Sequence, residues 1–201
     1  MRLLLLLVVA VLLPVLQGCI PLVVAGAGVA ALSVTDRRST GAQLDDEAIE
    51  FKMSSRVREN FGSAQVHVNA TSYNRRVLLT GEAISEEFKA KLGDLARDVP
   101  GVVSVVNEIQ IASNSSASAR SNDGLTTSNV KTRMFADAGG KFNANQIKVL
   151  TEANVVYLMG IVTPAEGDAA AEIARTSQGV QRVVKVFEYV DKAPELGSVA
   201  K

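Results

Sequence analysis

The chain contains no tryptophan, one cysteine and one histidine, and aromatic residues make up only 4% of it. A single cysteine leaves no disulfide framework, so stability must come from packing. A metal site needs several histidine, cysteine or carboxylate ligands placed together. His67 has no cysteine or second histidine near it, so it is expected as a surface or strand-packing residue with no metal bound. Lys plus Arg and Asp plus Glu balance at 21 each. No overall field therefore draws nucleic acid or anionic lipid, and an electrostatic partner must be met by a local patch. Glycine-rich phosphate loops after a strand are lacking. The acidic runs Asp45-Asp46-Glu47 and Glu86-Glu87 read as charged helix starts. With no catalytic constellation in evidence, the chain is expected not to be an enzyme. What is abundant is aliphatic: Val, Leu, Ile and Ala must build the cores.

The N-terminal segment is informative. Arg2 precedes an apolar run over residues 3–16 that closes in Leu16-Gln17-Gly18-Cys19. A charged start, an apolar core and a small residue before a cut site describe a secretory signal, and Pro14 and Gly18 would interrupt a spanning helix. The competing reading is an uncleaved membrane anchor with an incidental cysteine. The cysteine directly after the cut resembles a bacterial lipobox. That resemblance implies removal of residues 1–18 and a diacylglycerol plus an N-acyl chain on Cys19, with no other cofactor. One acyl chain binds a membrane only marginally, whereas several anchor it stably. Ile20 is not a retention signal, so the resemblance implies an outer-membrane location facing the periplasm. Residues 19–45 then read as a tether.

The mature chain is duplicated. Val77-Leu78-Leu79-Thr80-Gly81 recurs as Val156-Tyr157-Leu158-Met159-Gly160, Leu95-Ala96-Arg97 as Ile173-Ala174-Arg175, and Gly101-Val102 with Val105-Val106 as Gly179-Val180 with Val183-Val184. Order and offset are kept throughout, which marks a repeat. The Ser/Asn-rich stretch 113–122 reads as a flexible linker between a first unit at 46–112 and a second at 123–191, with a tail at 192–201. Each unit reads as α-β-β-α-β. In the first, Ile49, Met53, Val57 and Phe61 form one helical stripe. A strand follows at 66–70, a turn at Tyr73-Asn74-Arg75, a strand at 77–82, a helix after Ser85, and a strand at 102–111. In the second, strands are expected near 147–152, 155–162 and 183–190, with Pro164 opening the intervening helix. The fold class is α+β, two helices on a three-stranded sheet in each unit.

These strings, with Asp36-x-Arg38-Ser39-x-Gly41 ahead of them and Ser121-Asn122-Asp123 opening the second unit, resemble the BON domain family, in particular its lipobox-bearing members with two tandem BON units. The resemblance implies an envelope-maintaining lipoprotein whose second unit binds an anionic phospholipid membrane through its first helix. Here that helix is expected over 125–136, with Leu125, Thr126, Lys131, Arg133 and Phe135 as the contact residues. Val130 and Met134 fall on the core side, Leu125 and Phe135 outside. Family members carry Trp where this chain has Leu125, and leucine lacks the interfacial preference of an indole. The bland reading is an amphipathic helix with solvated cations. The alternative function is an adaptor that docks an envelope protein through its sheet faces. A monomer is expected, with no nucleic-acid partner.

Overall fold

A computed structural model describes residues 36–192, which lie in one compact unit. Cys19, the signal segment, the early tether and the last nine residues lie outside the described residues. Element order is α1 (Thr40–Asn60), β1 (Val66–Tyr73), β2 (Arg76–Ala83), α2 (Glu86–Arg97), β3 (Ser104–Asn107), β4 (Gln110–Ile111), α3 (Ala117–Asp137), β5 (Lys148–Glu152), β6 (Val155–Val162), α4 (Pro164–Arg175) and β7 (Arg182–Tyr189). The α-β-β-α-β order thus occurs twice.

In each repeat the central strand pairs antiparallel with the strand before it and parallel with the strand after it. In the first repeat the last strand is broken at Glu108-Ile109 but keeps its register, Leu79 opposite Asn107 and Glu82 opposite Gln110. The break faces Gly81, whose φ of +107 departs from strand geometry; the equivalent Gly160 has no such φ, and β7 runs unbroken. Both glycines permit close backbone approach. A Cβ at Gly81 would lie 2.0 Å from the His67 carbonyl oxygen, and one at Gly160 would lie 2.7 Å from that of Gln146.

Two helices start earlier than the hydrophobic pattern predicts. Ser39 caps α1 by accepting from the Ala42 amide, so the helix has already run more than two turns where the apolar stripe begins at Ile49, and Asp46 is interior and buried. The reading of Asp45-Asp46-Glu47 as a helix start is corrected accordingly. Ser116 caps α3 by accepting from Ala119, so only residues 112–116 connect the repeats and the expected open linker is helical from Ala117. Serine and asparagine favour caps over helix interiors, but one well-placed cap starts a helix despite them.

The cores explain the aliphatic composition. Ile49, Met53, Val77, Leu79, Leu92 and Ala96 pack the first repeat's helices onto its sheet. Val130, Met134, Val156, Leu158, Ala170 and Phe187 do the same in the second. A third cluster joins the repeats: Tyr73 and Leu78 meet Val155, Tyr157, Met159, Ile161 and Val186. These belong to the opposite faces of the same strands, so the two sheets stack face to face with helices outside. That stacking explains why every residue of β6 is buried; a strand covered on both faces reads as an unbroken apolar run. The sheet faces are consequently occupied by each other, which removes the surface assumed for an adaptor docking through them.

Candidate functional site

Helix α3 has two sides. Asp123, Thr126, Val130 and Met134 are buried. On the outer side Leu125 is 70% and Phe135 61% exposed, with Lys131 beside them and making no hydrogen bond or ion pair to the described residues. Ser121, Ser128 and Thr132, on the same side, each donate a hydroxyl hydrogen to the carbonyl four residues back. Their polar groups are already satisfied, which lowers the cost of taking this face out of water.

Two of the five expected contact residues belong elsewhere. Thr126 is buried against the turn after α4: a Cβ at Gly179, whose φ is +88, would lie 2.6 Å from its Oγ1. Arg133 donates to Ile173 O, Thr176 Oγ1, Ser177 Oγ and Asp137 Oδ2, tying α3 to the end of α4. These bonds engage Nε and Nη1 and fix the guanidinium against the end of α4, leaving Nη2 as its outward donor. Leu125, Lys131 and Phe135 remain on the open face.

The junction between the repeats carries the polar chemistry. His67 Nδ1 lies 3.1 Å from Glu82 Oε2, its partner across the β1–β2 ladder. Glu152 of the second repeat accepts from Asn69 at 2.9 Å and from Thr80 at 3.5 Å. Burial, and then the nearby Glu82 charge against the opposing Asn69 bond, pushes the Glu152 carboxyl above its ordinary value. One ligand atom from each of His67, Glu82 and Glu152 falls within 4.8 Å of the others. His67 thus lies on β1 with a quarter of its side chain exposed, as expected of a strand residue, and its ring faces two carboxylates. A two-residue turn at Asn74-Arg75 pairs residues symmetrically about it, so the His67–Glu82 pairing was open to sequence reasoning. Glu152 was not, because it arrives only when the sheets stack.

The segment ahead of α1 is also built into the fold. Arg37 makes a bidentate pair with Glu166 at 2.7 and 2.8 Å and donates to Ile161 O. Hydrogen bonds from Arg37 chiefly hold the Glu166 carboxyl below its ordinary value. Arg38 pairs with Asp36 and Asp46 and lies 4.1 Å over the Tyr73 ring. Burial lowers the Arg38 pKa, but its bonds to Asp36 and Asp46 outweigh that and hold it above its ordinary value. Neighbouring arginines therefore grip the two repeats, and the tether, as far as it is described, is docked.

Two stacked α-β-β-α-β units of this kind define a tandem BON protein, and the chain belongs to the BON domain family, matching its model over residues 45–113 and 122–191. It is similar to the outer membrane lipoprotein DolP of Haemophilus influenzae, with 42% identity over 177 residues, 88% of this chain and 91% of that protein. It also resembles the 21 kDa hemolysin of Actinobacillus pleuropneumoniae, at 35% identity over 77% of this chain and 79% of that one. The osmotically-inducible protein Y of Escherichia coli is 28% identical over 71% of this chain and 72% of its own length. Among the described residues no helix is long and apolar enough to cross a membrane.

Proposed function

We propose that the chain is an envelope lipoprotein, anchored in the outer membrane through acylated Cys19, that supports envelope integrity by binding anionic phospholipid with its second BON repeat. The observation that carries the lipid contact is the outer face of α3. Leu125 and Phe135 stand exposed, the hydroxyls between them are internally bonded, and Lys131 is free to meet a phosphate. Apolar insertion then supplies most of the binding, and one cation near an anionic surface adds on the order of 1 kcal/mol. The similarity to a protein named as an outer membrane lipoprotein supports the anchored setting. Vesicle flotation of a fragment starting at Asp36 tests the reading. Leu125→Ser with Phe135→Ser should abolish flotation with anionic vesicles, and Arg133→Gln should not. Undiminished flotation of the double variant would contradict it.

A second reading has its own observation. On α1, Leu44 and Phe51 are 62% and 71% exposed and lie two turns apart on one side. An adaptor role would use this face in place of the buried sheets. Asp45, Glu47, Lys52 and Arg58 around it make a face of mixed charge, which suits a protein occupant better than an anionic membrane. Loss of a co-purifying envelope protein from Leu44→Ser with Phe51→Ser, with vesicle binding intact, would favour that role.

A further inference from the structure

Glu82 and Glu152 are each more than nine-tenths buried, and among the described residues neither pairs with a lysine or arginine. Buried carboxylates are ordinarily compensated, because taking a charge out of water without a counter-charge is costly. Among the described residues the imidazole of His67 is the group able to carry positive charge that lies within ligand distance of both carboxylates; Arg120 lines a cleft with Glu152 but makes no ion pair with it. Two carboxylates and one imidazole on three strands, gathered at the contact between two repeats, form a donor set with an unmet charge.

We propose that His67, Glu82 and Glu152 bind one divalent transition-metal ion of the zinc class, which joins the first BON repeat to the second. The imidazole favours such an ion over calcium or magnesium, which prefer oxygen-only shells. Zinc bonds of about 2.0–2.2 Å place neighbouring ligand atoms roughly 3.4 Å apart in a tetrahedron. The His67–Glu82 separation of 3.1 Å is close to that, and the whole set spans no more than 4.8 Å. Supporting groups are in place: Asn69 orients Glu152, and the Ser115 amide donates to Glu82 at 3.3 Å. Such outer contacts fix ligand direction. The Ser115 hydroxyl is itself buried and has no hydrogen-bond partner among the described residues. Solvent reaches two of the ligands: Glu152 borders clefts of about 470 and 290 Å³, and His67 retains a quarter of its side-chain exposure. Three protein ligands leave the fourth position to water.

The test uses the full-length, untagged protein in detergent micelles, stripped with a chelator and titrated with zinc chloride. Because His67 is the only histidine, its ring nitrogens give an unambiguous NMR signal. The expected result is one zinc per chain with a displaced His67 ring signal. At a hundredfold excess over Kd, Tm should rise by roughly 5–10 °C. Glu152→Gln, which keeps an acceptor for Asn69, should weaken zinc binding at least tenfold and remove the Tm rise. An unmoved His67 signal in the wild-type protein would overturn the proposal, and that result does not depend on any variant folding. Equal zinc affinity in Glu152→Gln would overturn it too.

Discussion

Asp46 and Asp123 occupy the same place in the two repeats, each reaching from the first helix to hold the hairpin turn beneath it. Asp46 accepts the amide hydrogens of Asn74 and Arg75 at 2.8 and 2.7 Å; Asp123 accepts those of Ala153 and Asn154 at 2.9 Å each. All four turn residues have positive φ, between 49 and 61°. Two-residue hairpins adopt this turn because its twist matches the strands, at a cost when the residues are not glycine or asparagine. The carboxylate offsets that cost by satisfying both turn amides.

Removing either carboxylate should therefore be expensive. Asp123→Ala is expected to cost about 2–4 kcal/mol, because two charge-assisted bonds are lost and the freed amides are partly buried. Ala153→Gly should stabilise by about 0.5–1 kcal/mol, since glycine takes positive φ without strain. Urea unfolding of both variants checks the pair. A neutral Asp123→Ala would mean the turn holds its own conformation.

How much of this was legible in sequence differs by level. Both repeats, the order of their elements and the core stripe from Ile49 to Met53 follow from hydrophobic spacing, and the structure agrees. The role of Asp46 was hidden because an acid near an expected helix start has a sufficient explanation in the helix dipole. The early starts of α1 and α3 depend on single serine caps, Ser39 and Ser116, inside polar stretches that equally suit a linker. On α3, Leu125 and Phe135 fell outward as the helical wheel required. Thr126 and Arg133 could not be placed without knowing that the end of α4 packs there. Stacking of the sheets was written in the uninterrupted apolar run of β6, which a single three-stranded sheet with one wet face does not need.

Stacked sheets couple the repeats. Leu78 of the first repeat and Met159 of the second are both fully buried in the shared cluster. Leu78→Ala should cost about 2–5 kcal/mol, as large-to-small changes in cores do. Amide exchange should then accelerate in β6 and β7 as well as in β1 and β2. Acceleration confined to the first repeat would show that the repeats unfold separately.

The docked arm should respond to acid. Glu166 has a folded-state pKa below its unfolded value, chiefly through Arg37. Its contribution is therefore complete above the unfolded carboxylate value of about 4.3 and lost as pH falls through the lower folded value. Glu166→Gln keeps an acceptor for the Thr163 amide, so it removes the charge while sparing the helix cap. Wild-type protein should melt higher than the variant at pH 6, and the gap should close toward pH 3. A gap independent of pH would place the arm's contribution elsewhere.

The absence of tryptophan makes the membrane contact directly measurable. Leu125→Trp places one fluorophore on the outer face of α3, and Phe51→Trp places one on α1 in an otherwise tryptophan-free chain. With vesicles containing anionic phospholipid and brominated acyl chains, emission from position 125 should shift to the blue and be quenched, because the side chain enters the acyl boundary. Emission from position 51 should not change, and neutral vesicles should give the same response at position 125 only at several-fold higher lipid concentration, because the single cation contributes on the order of 1 kcal/mol. Equal quenching at the two positions, or none at position 125, would contradict the assignment of lipid binding to the second BON repeat.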